Sequence, residues 1–107
     1  MFVLNVNISS ENCEPGVTRK ILSYTKELMM VEVCLEEGAQ GYSHNHPHLQ
    51  ITYVAKGKLE FTVGDQVRIV KTGDSIFMPS DVMHGVKARE ESILVDVFNP
   101  MREEFVN

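Results

Sequence analysis

Between Val17 and Phe98 the chain is cut every few residues by a turn signal, and this spacing decides most of what it can fold into. The runs between the turns alternate with period two, as strands with one buried face do. Val17–Leu22, Glu27–Leu35, Gln50–Ala55, Lys58–Val63, Gln66–Lys71, Ser75–Met78, Met83–Ala88 and Ser92–Phe98 all read as strands. In Lys58–Val63, Leu59, Phe61 and Val63 share one face, and Lys58, Glu60 and Thr62 share the other. Gly64-Asp65 between two such runs is a two-residue hairpin signal. Glu27–Leu35 is mostly apolar on both faces, which predicts a strand in the middle of a sheet. Glu36–Gly41 reads as a loop by composition. Helical signals occur only in the tail Pro100–Val106, where proline opens the segment and acids follow, predicting a short C-terminal helix. Strands this short and this closely punctuated imply an all-β sandwich or barrel.

A chain of 107 residues has room for one core, so residues 1–107 form one domain. With 15 acidic against 10 basic residues the formal charge is -5. No cluster of Lys and Arg exists to meet phosphates, which argues against nucleic acid and anionic membrane surfaces as partners. No apolar stretch approaches the roughly 20 residues that span a bilayer. Met1–Ile8 has apolar residues but neither the basic start nor the cleavage site of a signal peptide. Cys13 and Cys34 lack any CxxC spacing and read as reduced thiols, so the expected location is cytoplasmic.

His44, His46 and His48 crowd into Tyr42-Ser-His-Asn-His-Pro-His-Leu-Gln50. In an extended segment residues two apart share a face, so His44 and His46 can aim two imidazoles at one point. Gln50 has the matching parity if the chain between stays near extended. Neutral imidazole is the commonest protein ligand for divalent transition metals. The alternative is a wet, His-rich loop. His84 follows the turn Pro79-Ser80-Asp81, and spacing alone does not say whether it returns to the first cluster. Asp96 interrupts Ile93-Leu-Val-Asp-Val-Phe98, a run apolar on both faces. A carboxylate there is costly unless it is paired or its proton affinity is raised. It is therefore either a general acid/base or a structural partner of a cation such as Arg102.

These residues resemble the two motifs of the cupin superfamily. The first, G-x5-H-x-H-x3-E-x6-G, is matched at residues 38–57 by Gly38, His44, His46 and Gly57, with Gln50 where Glu is usual. The second, G-x5-P-x-G-x2-H-x3-N, is matched at residues 73–88 by Gly73, Pro79 and His84. There Asp81 stands for the glycine and Ala88 for the asparagine. The resemblance implies a single cupin domain, a double-stranded β-helix or jelly-roll barrel, holding one divalent transition metal. Its ligands would be His44, His46, Gln50 and His84; imidazole, amide and water suit Zn, Ni, Fe, Mn or Cu.

Arg19–Tyr24, His46–Val54 and Asp96–Phe105 further resemble the small pectin-degradation cupins of the KdgF type. That likeness implies an enzyme that helps open 4,5-unsaturated uronates to 5-keto-4-deoxyuronate, with a small anionic sugar acid as substrate. It puts Asp96 and Arg102 in catalytic roles and Phe98 and Arg102 against the substrate. His48 shares the parity of the ligands, but Pro47 disturbs the local chain, so it is at best a second-layer or substrate-pocket residue. It also implies a homodimer in which Met1–Ile8 is exchanged. Two further classes stay open: a metal-dependent oxygenase on the same ligands, and a non-catalytic sugar- or metal-binding module. An Asp96 and Arg102 that face the metal favour an enzyme; either one in solvent favours the module.

Overall fold

A computed structural model describes residues 1–106, the side chains of Tyr42 and Ser43 excepted. Ten strands follow one another along the chain: β1 (Glu11–Glu14), β2 (Val17–Tyr24), β3 (Met29–Leu35), β4 (Gln40–His44), β5 (Leu49–Lys56), β6 (Lys58–Val63), β7 (Gln66–Lys71), β8 (Ser75–Met78), β9 (His84–Ala88) and β10 (Ser92–Asn99). They form a six-stranded sheet ordered β1-β2-β3-β10-β5-β8 and a four-stranded sheet ordered β4-β9-β6-β7. Every pairing is antiparallel.

In β6 the alternation read from the sequence is that between core and outside, with Leu59 and Phe61 buried and Lys58 exposed, whereas β5 turns its more polar face inward and its apolar face outward. Gln50, Thr52 and Val54 of β5 are buried, while Leu49, Ile51 and Tyr53 are exposed. The main core draws Val54 and Leu94 from the larger sheet and Leu59, Phe61 and Ala88 from the smaller, so it lies between them. The expected interior strand is β3, flanked by β2 and β10. Gly64 opens the β6–β7 hairpin with φ of +60, and Val63 pairs with Gln66 across it. On the outer face of the larger sheet the register aligns Met30, Val97, Ile51 and Phe77 in one apolar row.

Two strands escaped the sequence reading, β1 and β4, and both lie at sheet edges. An edge strand pairs on one side only, so β1 holds its place with the polar run Glu-Asn-Cys-Glu and little apolar patterning. β4 begins inside the stretch read as a loop.

The expected C-terminal helix is corrected to a single 3-10 turn, Glu103–Phe105. Arg102 before it is extended and supplies no side-chain cap. A segment this short gains too few bonds to offset helix nucleation. It is held by packing instead: Phe105 and Val106 lie on the cluster of Met29, Val31 and Phe98. The Met101 amide also donates to the Lys26 carbonyl at 3.1 Å.

The chain passes from the larger sheet to the smaller through one residue, Gly57, at φ of +103. A Cβ there would collide with Ser92 Oγ and lie 2.7 Å from the Glu91 carbonyl oxygen. Gly57→Ala is expected to cost about 2–3 kcal/mol of folding stability, read as a lower urea midpoint at unchanged slope.

Candidate metal centre and cavity

The pairing of β4 with β9 sets His44 directly opposite His84. The link between the two histidine-bearing segments continues in the loop after β4. Asp81 donates its amide to the His46 carbonyl at 2.8 Å, and the Ser80 hydroxyl donates to the Pro47 carbonyl. Asp81 adopts φ of +62, alone among the described non-glycine residues in the left-handed region. A backbone of that kind favours glycine, which gives a physical reason for the glycine at this position of the motif.

The result is one cluster. Ligand atoms of His44, His46 and His84 all lie within 4.8 Å of one another. The ring centroids of His44 and His84 are 4.5 Å apart, and those of His46 and His84 5.0 Å. His46 sits in a loop rather than an extended strand, so its aim comes from hydrogen bonds and not from strand parity.

Those bonds also test whether the cluster suits a cation. His84 Nδ1 meets the Val82 carbonyl at 3.1 Å, and His46 Nδ1 meets the His48 carbonyl at 3.1 Å. A carbonyl only accepts, so each Nδ1 carries the proton and each Nε2 is left with its lone pair. His84 Nε2 is buried with no partner. His46 Nε2 lies 3.0 Å from Gln50 Oε1, another acceptor. Two lone pairs that close repel unless a cation lies between them or the carboxamide turns over. Burial lowers the His46 proton affinity, and it pushes His84 down to about 4, with the charges of His44, His46 and Arg102 adding to the effect. Both imidazoles are therefore neutral donors at neutral pH. The donor set fits a divalent transition metal.

A cavity of about 210 Å³ opens beside this cluster. His44, His84, Gln50, Asp96, Phe98 and Arg102 line it. Asp96 faces Thr52 across the β10–β5 pairing, and the Thr52 hydroxyl donates to Asp96 Oδ1 at 2.6 Å. Gln50 Nε2 donates in turn to Thr52 Oγ1 at 3.0 Å. The carboxyl group is enclosed by protein, and the surface it exposes faces the cavity. That enclosure pushes its pKa up to about 6, against the hydrogen bonds from Thr52 and Gln50 and the charge of Arg102, which lower it.

Asp96 is thus no ion-pair partner of Arg102. The Arg102 Nε pairs with Glu104 Oε1 at 3.1 Å, and its guanidinium lies 5.2 Å from the Phe98 ring centre. Phe98 meets His46 edge-on at 5.7 Å. His48 goes elsewhere. It lines a separate cleft with Lys26, Met101, Glu103 and Glu104, behind the cluster rather than in the cavity.

Sequence reasoning missed Thr52, Arg19 and Phe105, which also face this cavity. Arg19 shares the parity of Val17 and Ile21, a polar residue on an apolar face, and that signal was readable; Thr52 lies with Gln50 and Lys56 on the more polar face of β5, where the sequence offers no such break.

The cupin domain pattern matches residues 31–98. The chain belongs to the cupin family. It is 43% identical, over 90% of its length and 89% of the relative's, to the pectin degradation protein KdgF of Dickeya dadantii strain 3937. Among solved structures, KdgF from Halomonas sp. superposes with a TM-score of 0.94 at 36% identity, covering 98% of this chain and 97% of that one. An RmlC-like cupin from Shewanella frigidimarina NCIMB 400 does so with a TM-score of 0.94 at 36% identity, over 97% and 94%. The cupin likeness therefore runs nearly end to end, with the three histidines and Gln50 at the motif positions.

Removing one imidazole should empty the centre without unfolding the barrel. His84→Ala is expected to lower cation affinity by more than about a hundredfold, read by metal analysis of dialysed protein with an unchanged far-ultraviolet spectrum. Gln50→Glu is expected to bind the cation more tightly, because it cancels one unit of charge that the neutral quartet leaves standing.

Proposed function

We propose that the protein is a metal-dependent enzyme that opens 4,5-unsaturated uronates and ketonises them to 5-keto-4-deoxyuronate. The observation that carries this reading is that Asp96 and Arg102 line the same cavity as His44 and His84. A binding module has no need of an enclosed carboxyl group with raised proton affinity beside a cation site. The likeness to KdgF proteins, whose name places them in pectin degradation, supports the substrate class.

A divalent cation held by His44, His46, His84 and Gln50 would supply positive charge to an oxygen that gains negative charge. Arg102 offers the substrate carboxylate a planar fork, held in place by Glu104 and by the rings of Phe98 and Phe105. Phe98 is the apolar wall against which the sugar ring lies. Asp96 accepts the proton of the hemiacetal hydroxyl as the bond from C1 to the ring oxygen breaks, leaving an aldehyde and an enolate. It then returns that proton to C4, and the enolate becomes the ketone. The substrate is isomerised with no atom gained or lost. The Thr52 hydroxyl holds the carboxyl toward the cavity throughout.

A second copy of this chain is the partner that fits the outer face of the larger sheet. Met30, Ile51, Tyr53 and Phe77 are exposed there. The arm before β1 is tied to the same face, since Lys20 Nζ donates to Asn5 Oδ1 at 2.8 Å and Asn5 Nδ2 donates to Glu32 Oε1 at 3.0 Å. Its Met1, Phe2, Leu4 and Val6 remain uncovered by their own chain, as a segment meant for a partner would be. The free thiols of Cys13 and Cys34 suit a reducing cytoplasm. Among the described residues no helix is long and apolar enough to cross a membrane.

Metal-loaded protein mixed with unsaturated galacturonate should speed the loss of its conjugated absorbance well beyond spontaneous opening. A rate equal to the blank refutes the assignment. Asp96→Asn should reduce turnover by at least about a thousandfold with metal content unchanged. Phe77→Glu should convert a dimer to a monomer in sedimentation, with the barrel still folded.

A further inference from the structure

On β2, Val17 and Arg19 share the inward face: Val17 joins the core, and Arg19 reaches the central cavity. The Arg19 guanidinium carbon lies 3.8 Å from the centre of the Phe105 ring, and that of Arg102 lies 4.6 Å from the same ring. The two arginines are held in the same manner. Arg19 Nε pairs with Glu11 Oε2 at 3.0 Å, as Arg102 Nε pairs with Glu104 Oε1. Each acid thus occupies the inner nitrogen of its guanidinium. The terminal nitrogens donate to no acceptor among the described residues. Stacking on a shared ring fixes both planes. Two cations, each with its terminal donors unspent, therefore share one aromatic anchor in one cavity.

We propose that Arg19 is a specificity-determining residue that grips the substrate carboxylate together with Arg102, so that the cavity selects a sugar acid over the neutral sugar. This rests on the uronate reading of the site and names the second group that would recognise the acid. A guanidinium meets a carboxylate through two parallel donors, and a carboxylate has lone pairs for two such partners. One arginine orients the acid; a second, from another strand, fixes it on both sides. Arg19 touches the carboxylate and not the bonds that break, so it acts on binding more than on the chemical step.

The test uses full-length, metal-loaded protein and calorimetric titration with saturated D-galacturonate, which binds without reacting, against D-galactose. Wild type is expected to prefer galacturonate by at least about tenfold. Arg19→Gln is expected to weaken galacturonate about 10–50-fold and leave galactose unchanged. With unsaturated galacturonate it should raise KM by a similar factor and change kcat less than about threefold. Arg19→Met keeps an apolar stem on Phe105 and gives the same readings should the Gln variant not fold.

Wild-type galacturonate affinity in the folded variant overturns the proposal, and so does a parallel loss of galactose binding, which would mark a bracing role through Phe105. Turnover of unsaturated galacturonate with an unchanged KM in the variant overturns the role of Arg19 while the reaction stands. Arg19-dependent preference for galacturonate without any turnover leaves the grip standing and removes the reaction.

Discussion

The antiparallel pairing of β4 with β9 is the contact on which the site depends. It brings His44 opposite His84, although a hairpin and two further strands separate them in the chain. The tie between the Asp81 amide and the His46 carbonyl completes the convergence. Once these two contacts form, three imidazoles share one point, and the carbonyls of Val82 and His48 turn their lone pairs inward. Orientation is thus a property of the backbone, settled before any cation arrives.

Charge explains why the remaining cavity residues are what they are. Imidazole and carboxamide donors bring no negative charge, so a dication held among them would favour an anion or an oxygen that becomes one. The carboxylate in the cavity wall is kept where enclosure raises its proton affinity, and its hydrogen bond comes from Thr52 rather than from a cation. The cations are spent on the tail side, around Phe105, each with a peripheral acid on Nε. Acid, imidazoles and arginines therefore occupy separate walls of one small space.

Much of this was legible in the residues. The period-two runs marked eight of the ten strands, because a strand with one face in the core must alternate. β1 and β4 hid because an edge strand is bound on one side only and carries less apolar pattern. The tail signals of Pro100 and its acids are real helix preferences, but seven residues cannot offset nucleation, and packing of Phe105 on Met29 and Val31 decided the outcome. For the site, spacing offered His44, His46 and Gln50, and only the likeness to the cupin motifs added His84 to them. His48 has the parity of a ligand, yet the loop that bonds its carbonyl to His46 turns its ring into another cleft. Arg19 was visible as a polar break in an apolar face, but Thr52 sits on the more polar face of β5, and only neighbouring strands reveal what either touches.

β10 carries Asp96 and Phe98 to the inside and Val95 and Val97 to the outside, alternating residue by residue. The wall of the barrel is a single backbone thick at this point. Nothing insulates the cavity from whatever presses on the apolar row through Val97. A shift of this strand by a fraction of an ångström on the outside is the same shift within, so any load borne by Val97 reaches Asp96 and Phe98 undamped.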